Sequence, residues 1–283
     1  MQRVWPFSRC AALYHDKCAI IRRDAELPAE KPQKTLIDEL PSSPDYGKGA
    51  GFRRVELINS DGRVDVHLAD LLHEMRLVLH HDGTQVTAIA AQFIRYPTNL
   101  CPGATASLAL LEGTPIGTPA HKVGNGGIAR LNCTHLYDLS ALAIAHAGRS
   151  VRSRCYDATV PDPVDGRTTV SVARDGEIVH RWTLDGDVIV APSDYAGQPI
   201  KAGFFKWAPQ HLDDDALEAA IVMAKTVFIS AGRRILQPSL TGVVLERNVQ
   251  AHGVCFAYQP ERIADGYFVG GNMRQTLDEA LKG

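Results

Sequence analysis

The 283-residue chain carries 45% hydrophobic and 22% charged residues, enough to bury one large core or two small ones. Its 30 Lys and Arg against 32 Asp and Glu leave a formal charge of -2, so no summed field would gather nucleic acid or an anionic membrane as a partner. No run approaches the roughly 20 apolar residues of a membrane span, and the start Met1-Gln2-Arg3-Val4-Trp5-Pro6-Phe7 lacks the apolar stretch of a signal peptide, so a soluble, cytoplasmic protein is expected.

Six cysteines, at positions 10, 18, 101, 133, 155 and 255, are sparse and irregular, which points to reduced thiols rather than a disulfide framework. Cys10 and Cys18 sit in an N-terminal arm. From Asp24 to Ala50 the chain passes Pro28, Pro32, Pro41 and Pro44 among many charges and reads as a linker or surface strap. The folded body is expected to begin near Phe52. Segments 52–58, 64–68, 75–80 and 86–94 alternate or are β-branched, with a hairpin turn at His81-Asp82-Gly83-Thr84, so the first half opens with an antiparallel sheet.

Two helices are predicted next. The first has Pro102 in its first turn, Ala104, Leu108 and Leu111 on one face, and Gly113 at its end. The second takes Thr134 as N-cap, Leu136, Leu139, Ala143 and Ala147 as its stripe, and ends at Gly148. A second β-rich stretch follows as strands 168–173, 178–184 and 188–190, with turns at Asp175-Gly176 and Asp185-Gly186. Asp213, Asp214 and Asp215 then open a long helix whose stripe is Leu217, Ile221, Ala224 and Phe228 and whose end is Gly232. The tail is irregular, with strand-like 243–245 and 254–258 and a terminal helix from Thr276. The fold class is α+β. It divides into an arm and linker at 1–50, an α+β domain at 51–160 and a β-rich part with the long helix at 161–283, packed together, with the Pro-bearing Val160–Val164 as the boundary.

The candidate chemistry centres on two thiols. Cys101 and Cys133 each stand at a predicted helix N-terminus, where free N–H groups and a partial positive charge favour thiolate. His73 opens the strand leading into the hairpin, and His135 lies in the first turn of the second helix. Convergence of His73, Cys101, Cys133 and His135 would make a ligand set for one zinc or iron ion, or a thiol and acid–base site. Buried thiols and satisfied core histidines are the plainer alternative. His252 and Cys255 offer a further imidazole and thiol. Trp182, beside His180 on one strand face, and Tyr195 and Trp207 in loops, are candidate walls of a pocket for a small-molecule substrate. Gly124-Asn125-Gly126-Gly127 reads as a mobile loop or lid near Cys133. Asp65, Asp70 and Glu74 read equally as capping or solvated residues and as catalytic carboxylates. No Gly-x-Ser-x-Gly elbow is present.

The segments Leu71-Leu72-His73-Glu74-Met75-Arg76-Leu77, Ala88-Ile89-Ala90-Ala91-Gln92-Phe93, Leu100-Cys101-Pro102-Gly103-Ala104, Leu111-Glu112-Gly113-Thr114 and Asn132-Cys133-Thr134-His135-Leu136 resemble a bacterial domain-of-unknown-function family, DUF2889. More distantly, the order of elements over 52–147 is similar to the IscU/NifU-type iron–sulfur scaffold. That resemblance implies that Cys101 and Cys133 match two scaffold thiols and that His73 stands near the scaffold's aspartate. Leu71 and Asn132 stand where two further scaffold ligands would be, which argues against a transient cluster carrier. The expected function is a metal- or thiolate-assisted lyase or hydrolase of small-molecule catabolism, acting on an oxygenated aromatic or acyl compound. The alternative is a non-catalytic metal or iron–sulfur cluster-handling protein. A homo-oligomer is left open.

Overall fold

Alternation of apolar and polar residues, read as strands above, does build a sheet, and it is larger than either half of the sequence suggests. The computed structural model describes residues 35–124 and 126–282, which belong to one compact unit; Cys10 and Cys18 lie outside the described residues. After a one-turn helix α1 (Leu36–Glu39), eight strands follow: β1 (Ala50–Ser60), β2 (Arg63–Asp70), β3 (Glu74–His81), β4 (Val86–Arg95), β5 (Ser153–Pro161), β6 (Arg167–Arg174), β7 (Glu177–Asp185) and β8 (Val188–Ala191). They form one antiparallel sheet in the order β4-β3-β2-β1-β5-β6-β7-β8.

Every second residue of the central strands points to one face. Val55, Leu57, Val64, Val66, Leu68, Met75, Leu77 and Leu79 are buried there, while Arg54, Glu56, His67 and Arg76 occupy the opposite, wetter face. The long helices cover the apolar face. Between β4 and β5 run a 3-10 helix (Cys101–Leu111), α2 (Gly126–Leu131) and α3 (Thr134–Ala147), and α3 packs across β2 and β3. After β8 come α4 (Phe204–Trp207) and α5 (Asp214–Ser230), and α5 packs across β1, β5 and β6. A short α6 (Leu277–Leu281), the terminal helix expected from Thr276, follows, with Thr276 as its N-cap. No helix among the described residues is long and apolar enough to cross a membrane.

The boundary expected at Val160–Val164 begins inside β5, a strand that the sequence pattern hides. β5 pairs with β1 and β6, so the two β-rich parts are one sheet. Its inward positions are Arg154, Tyr156, Ala158 and Val160, and the first two mask the apolar alternation. Arg154 reaches both α5 and its own strand: Nη1 donates to Asp215 Oδ1 at 3.0 Å and to the Tyr156 hydroxyl at 3.3 Å. The Tyr156 hydroxyl in turn donates to Glu218, itself buried and bidentate to Arg149 at 3.2 and 2.9 Å. A polar network thus takes the place of apolar packing between β5 and α5.

Residues 35–49 form the expected surface strap, and it is tied to the body: Leu36 is buried against Ile235 and Leu240, and the Gly47 and Gly49 amides donate to Asp162 Oδ2, whose carboxylate is bidentate with Arg233 at 2.7 and 2.9 Å. Three other expectations change. The tail segments 243–245 and 254–258 make 3-10 turns and an isolated bridge between Val244 and Tyr267 instead of strands. Gly126 and Gly127 start α2 rather than a lid. Phe228 is 69% exposed, because in the last turn of α5 the packing falls to Val227 and Ile229.

Tyr156→Phe should lower the urea midpoint by an amount worth about 1–3 kcal/mol, since it strips one partner from the buried Glu218. An unchanged midpoint would show that the β5–α5 network adds nothing to the apolar packing around it.

Candidate acid–base site

The connection between β2 and β3 is three residues long, Leu71, Leu72 and His73, and it is held from both sides. Asp70, the last residue of β2, faces Arg53 directly across the β1–β2 register. The Arg53 guanidinium donates to Asp70 Oδ2 from Nη2 at 2.7 Å and from Nε at 3.2 Å, with both side chains buried. The other oxygen, Oδ1, accepts the backbone N–H groups of Leu72 at 2.9 Å and His73 at 2.7 Å, and lies 3.0 Å from His73 Nδ1. From β4, Arg95 completes the clamp on the carbonyl side, donating to the backbone oxygens of Asp70, Leu71 and His73 at 2.9, 3.2 and 3.0 Å.

Burial alone would raise the Asp70 pKa, but the charges of His73 and Arg53 and these hydrogen bonds outweigh it and hold the carboxyl well below its usual range. Asp70 is therefore an anion with five donors. Because an anionic oxygen only accepts, the His73 proton is assigned to Nδ1, and Nε2 is the ring's remaining functional nitrogen.

His135, in the first turn of α3, stacks on His73 with ring centroids 3.9 Å apart and planes tilted by 30°. Burial, reinforced by the charges of His73 and Arg53, pushes its pKa well below 6.5, so the ring is neutral at neutral pH. Cys133, the N-cap residue of α3, places Sγ 3.9 Å from His135 Nδ1. Asn132 beside it is fully buried, and its carbonyl accepts the Phe256 N–H at 2.9 Å, which brings the Cys255 segment against this helix start.

His135 also opens on a cavity of about 650 Å³ between α3 and α5. Strands β1 and β2 supply Arg53, Val55 and Leu68; α3 supplies Leu139 and Leu142; α5 supplies Glu218, Ile221, Val222 and Lys225; Arg130, His121 and Phe205 complete the rim. The pocket is mostly apolar, with a few polar groups converging near the His135 ring.

Donor atoms of Asp70, His73 and His135 lie within 4.8 Å of one another, close enough to suggest a metal. Two features oppose one as the side chains stand. Asp70 has about four lone-pair positions and five donors already. Imidazole lone pairs lie in the ring planes, and planes 3.9 Å apart at their centres and tilted by only 30° do not meet within a metal–nitrogen bond of about 2.0–2.1 Å. The arrangement suits proton transfer better.

Of the residues singled out from sequence, His73, His135 and Cys133 come together. Cys101 lies close enough to repel a Cys133 thiolate, but it hydrogen bonds Thr98 Oγ1 at 3.0 Å and is not among the metal-range donors. Thiolate formation is opposed: burial pushes Cys101 up to about 11 and Cys133 well above its usual value, so desolvation outweighs the helix N-termini. Cys255 is half-buried with its pKa likewise raised by burial, and His252 bonds the Glu246 carbonyl at 3.0 Å. Trp182, Tyr195 and Trp207 do not line the cavity. They form an edge-to-face aromatic series, Trp182 to Tyr195 to Trp207, with centroids 5.5 Å apart and Trp182 fully buried at one end. Asp65 pairs with exposed Arg63, and buried Glu74 lies 3.5 Å from His67 Nε2.

Residues 54–147 match the family described as "Protein of unknown function (DUF2889)". No curated protein matches the chain. The DUF2889 segment runs from β1 to the end of α3. It holds Asp70, His73, Cys101, Cys133 and His135, whereas α5, the opposite wall of the cavity, lies beyond it.

Asp70→Asn should cost about 3–5 kcal/mol in urea unfolding, because it leaves Arg53 buried without its counter-ion. The wild type should also lose stability in two acid steps. Below pH 6.5 the unfolded chain takes up a proton that folded His135 refuses, and near and below 3.8 it takes up one that folded Asp70 refuses. A near-neutral Asp70→Asn would contradict the central place given to this carboxylate.

Proposed function

We propose that the chain is an acid–base enzyme, a lyase or hydrolase acting on a small oxygenated aromatic or acyl compound held in the cavity between α3 and α5. The observation that carries this reading is a neutral imidazole, His135, that faces the cavity and is stacked on a buried Asp70–His73 pair. His135 takes a proton from the substrate or from an attacking water and returns it to the leaving group. His73, oriented through Nδ1 by Asp70, supports the ring that becomes charged, and the Asp70 anion balances that charge through the stack.

A metal-assisted form of the same site would hold one zinc or iron ion on His73 and His135, and it is favoured by the 4.8 Å clustering of their donor atoms with Asp70. It requires the His135 ring to turn out of its stack. The alternative as a carrier of iron–sulfur clusters in the manner of an IscU/NifU-type scaffold would need thiols open for hand-over, and burial of Cys101 and Cys133 counts against it.

The test is turnover of a panel that includes 4-nitrophenyl acetate and hydroxylated aromatic acids by wild type, His135→Gln and Cys101→Ser/Cys133→Ser. His135→Gln should lose about 10²–10⁴-fold, whereas the double thiol variant keeps activity. The acid limb of the wild-type profile should fall below pH 6.5, since the base works in its neutral form and the protein lowers its pKa. Metal bound to the purified protein together with activity lost on chelation would favour the metal form. Activity indifferent to His135 would overturn both.

A further inference from the structure

Resting on the reading of the cavity as a substrate site, we infer that its ligand is a small monocarboxylate whose carboxylate docks on the free edge of Arg53 and whose apolar body fills the space between α3 and α5. Arg53 is 4% exposed and spends Nε and Nη2 on Asp70, but its Nη1 makes no hydrogen bond among the described residues, and the side chain lines the cavity beside His135. A guanidinium edge held by a bidentate carboxylate is fixed in direction and cannot swing to another partner. An unmet N–H donor on a buried cation calls for an acceptor, and an anionic one is bound more strongly than a neutral one.

The charges around the same cavity agree. Lys225 is paired with Asp138 at 2.9 Å and lies over the Phe205 ring at 5.0 Å, while Glu218 is matched by Arg149 at 2.9 Å. Arg130, at the rim, has no ion pair among the described residues, and His135 is held neutral. The wall therefore carries one uncompensated positive charge at its mouth above the Arg53 edge at its base. Val55, Leu68, Leu139, Leu142, Ile221 and Val222 make most of the remaining wall apolar, which favours an apolar body over an extended polar one. Docked in this way, the carboxylate end of the ligand lies beside the His135 imidazole.

The experiment is calorimetric titration of the full chain with 2-naphthoate, its neutral isostere 2-naphthamide, and acetate, at low and high salt. 2-Naphthoate should bind at least about tenfold more tightly than either of the other two, and should weaken with salt. Arg53→Lys, which keeps a positive charge opposite Asp70 but lacks the second guanidinium edge, should cost about tenfold in 2-naphthoate affinity and little for 2-naphthamide. Arg130→Gln, a surface change, should cost about threefold and reduce the salt dependence. If Arg53→Lys fails to fold, the three ligands on wild type and Arg130→Gln decide the matter. Equal affinity for 2-naphthoate and 2-naphthamide, affinity for acetate equal to that for 2-naphthoate, or no binding of 2-naphthoate at millimolar concentration would overturn the inference. None of these results bears on the His135 turnover test, so failure here and failure of the acid–base reading are distinguishable.

Discussion

A carboxylate withdrawn completely from water loses several kcal/mol of hydration, and Asp70 recovers it from an arginine edge, two backbone amides and an imidazole. Most of the local structure follows from that settlement. The amides it binds belong to the β2–β3 connection, so the turn has one shape; Arg95 fixes the carbonyls of the same turn from β4. The imidazole it binds presents a single nitrogen for further use. Burial, reinforced by the charge gathered around it, keeps the next ring out, His135, uncharged.

The rest of the fold supplies the place where this can matter. An eight-stranded sheet with one apolar face needs two helices side by side to cover it, and α3 and α5 leave a gap over β1 and β2 at the level of Arg53 and His135. Along the same helix, Arg149, Arg154, Tyr156 and Glu218 hold α5 in place by polar contacts whose directionality fixes its position more sharply than apolar packing would. The cavity is thus bounded by elements anchored through two separate ionic clusters.

Seven of the eight strands, α3, α5 and α6 were legible in the sequence because their apolar spacing and their turn or cap residues agree, except that the N-cap of α3 is Cys133 and not the expected Thr134. β5 was not, since Arg154 and Tyr156 occupy inward positions that only a partner helix can satisfy, and with it went the continuity of the sheet across residue 160. His73 and His135 were legible as candidates from their positions at a strand start and a helix start. Asp70 was weighed only as one ambiguous carboxylate, although Asp-Leu-Leu-His places an acceptor within reach of the amides two and three residues on and of the imidazole at the third. The thiols were over-read: helix position favours thiolate, but its effect is smaller than desolvation once the sulfur is buried. Trp182, Tyr195 and Trp207 packed on one another because large rings bury more surface together than in a wet loop.

The most direct measurement is a pH titration of 15N-labelled histidine side chains by NMR, read for His73 and His135 with single His→Gln variants for assignment. The account predicts a His135 ring that is neutral at pH 7 and titrates below 6.5, beside a His73 ring whose Nδ1 carries the proton shared with Asp70. A His135 that titrates at or above 6.5, or a His73 whose Nδ1 lacks the proton at neutral pH, would contradict it.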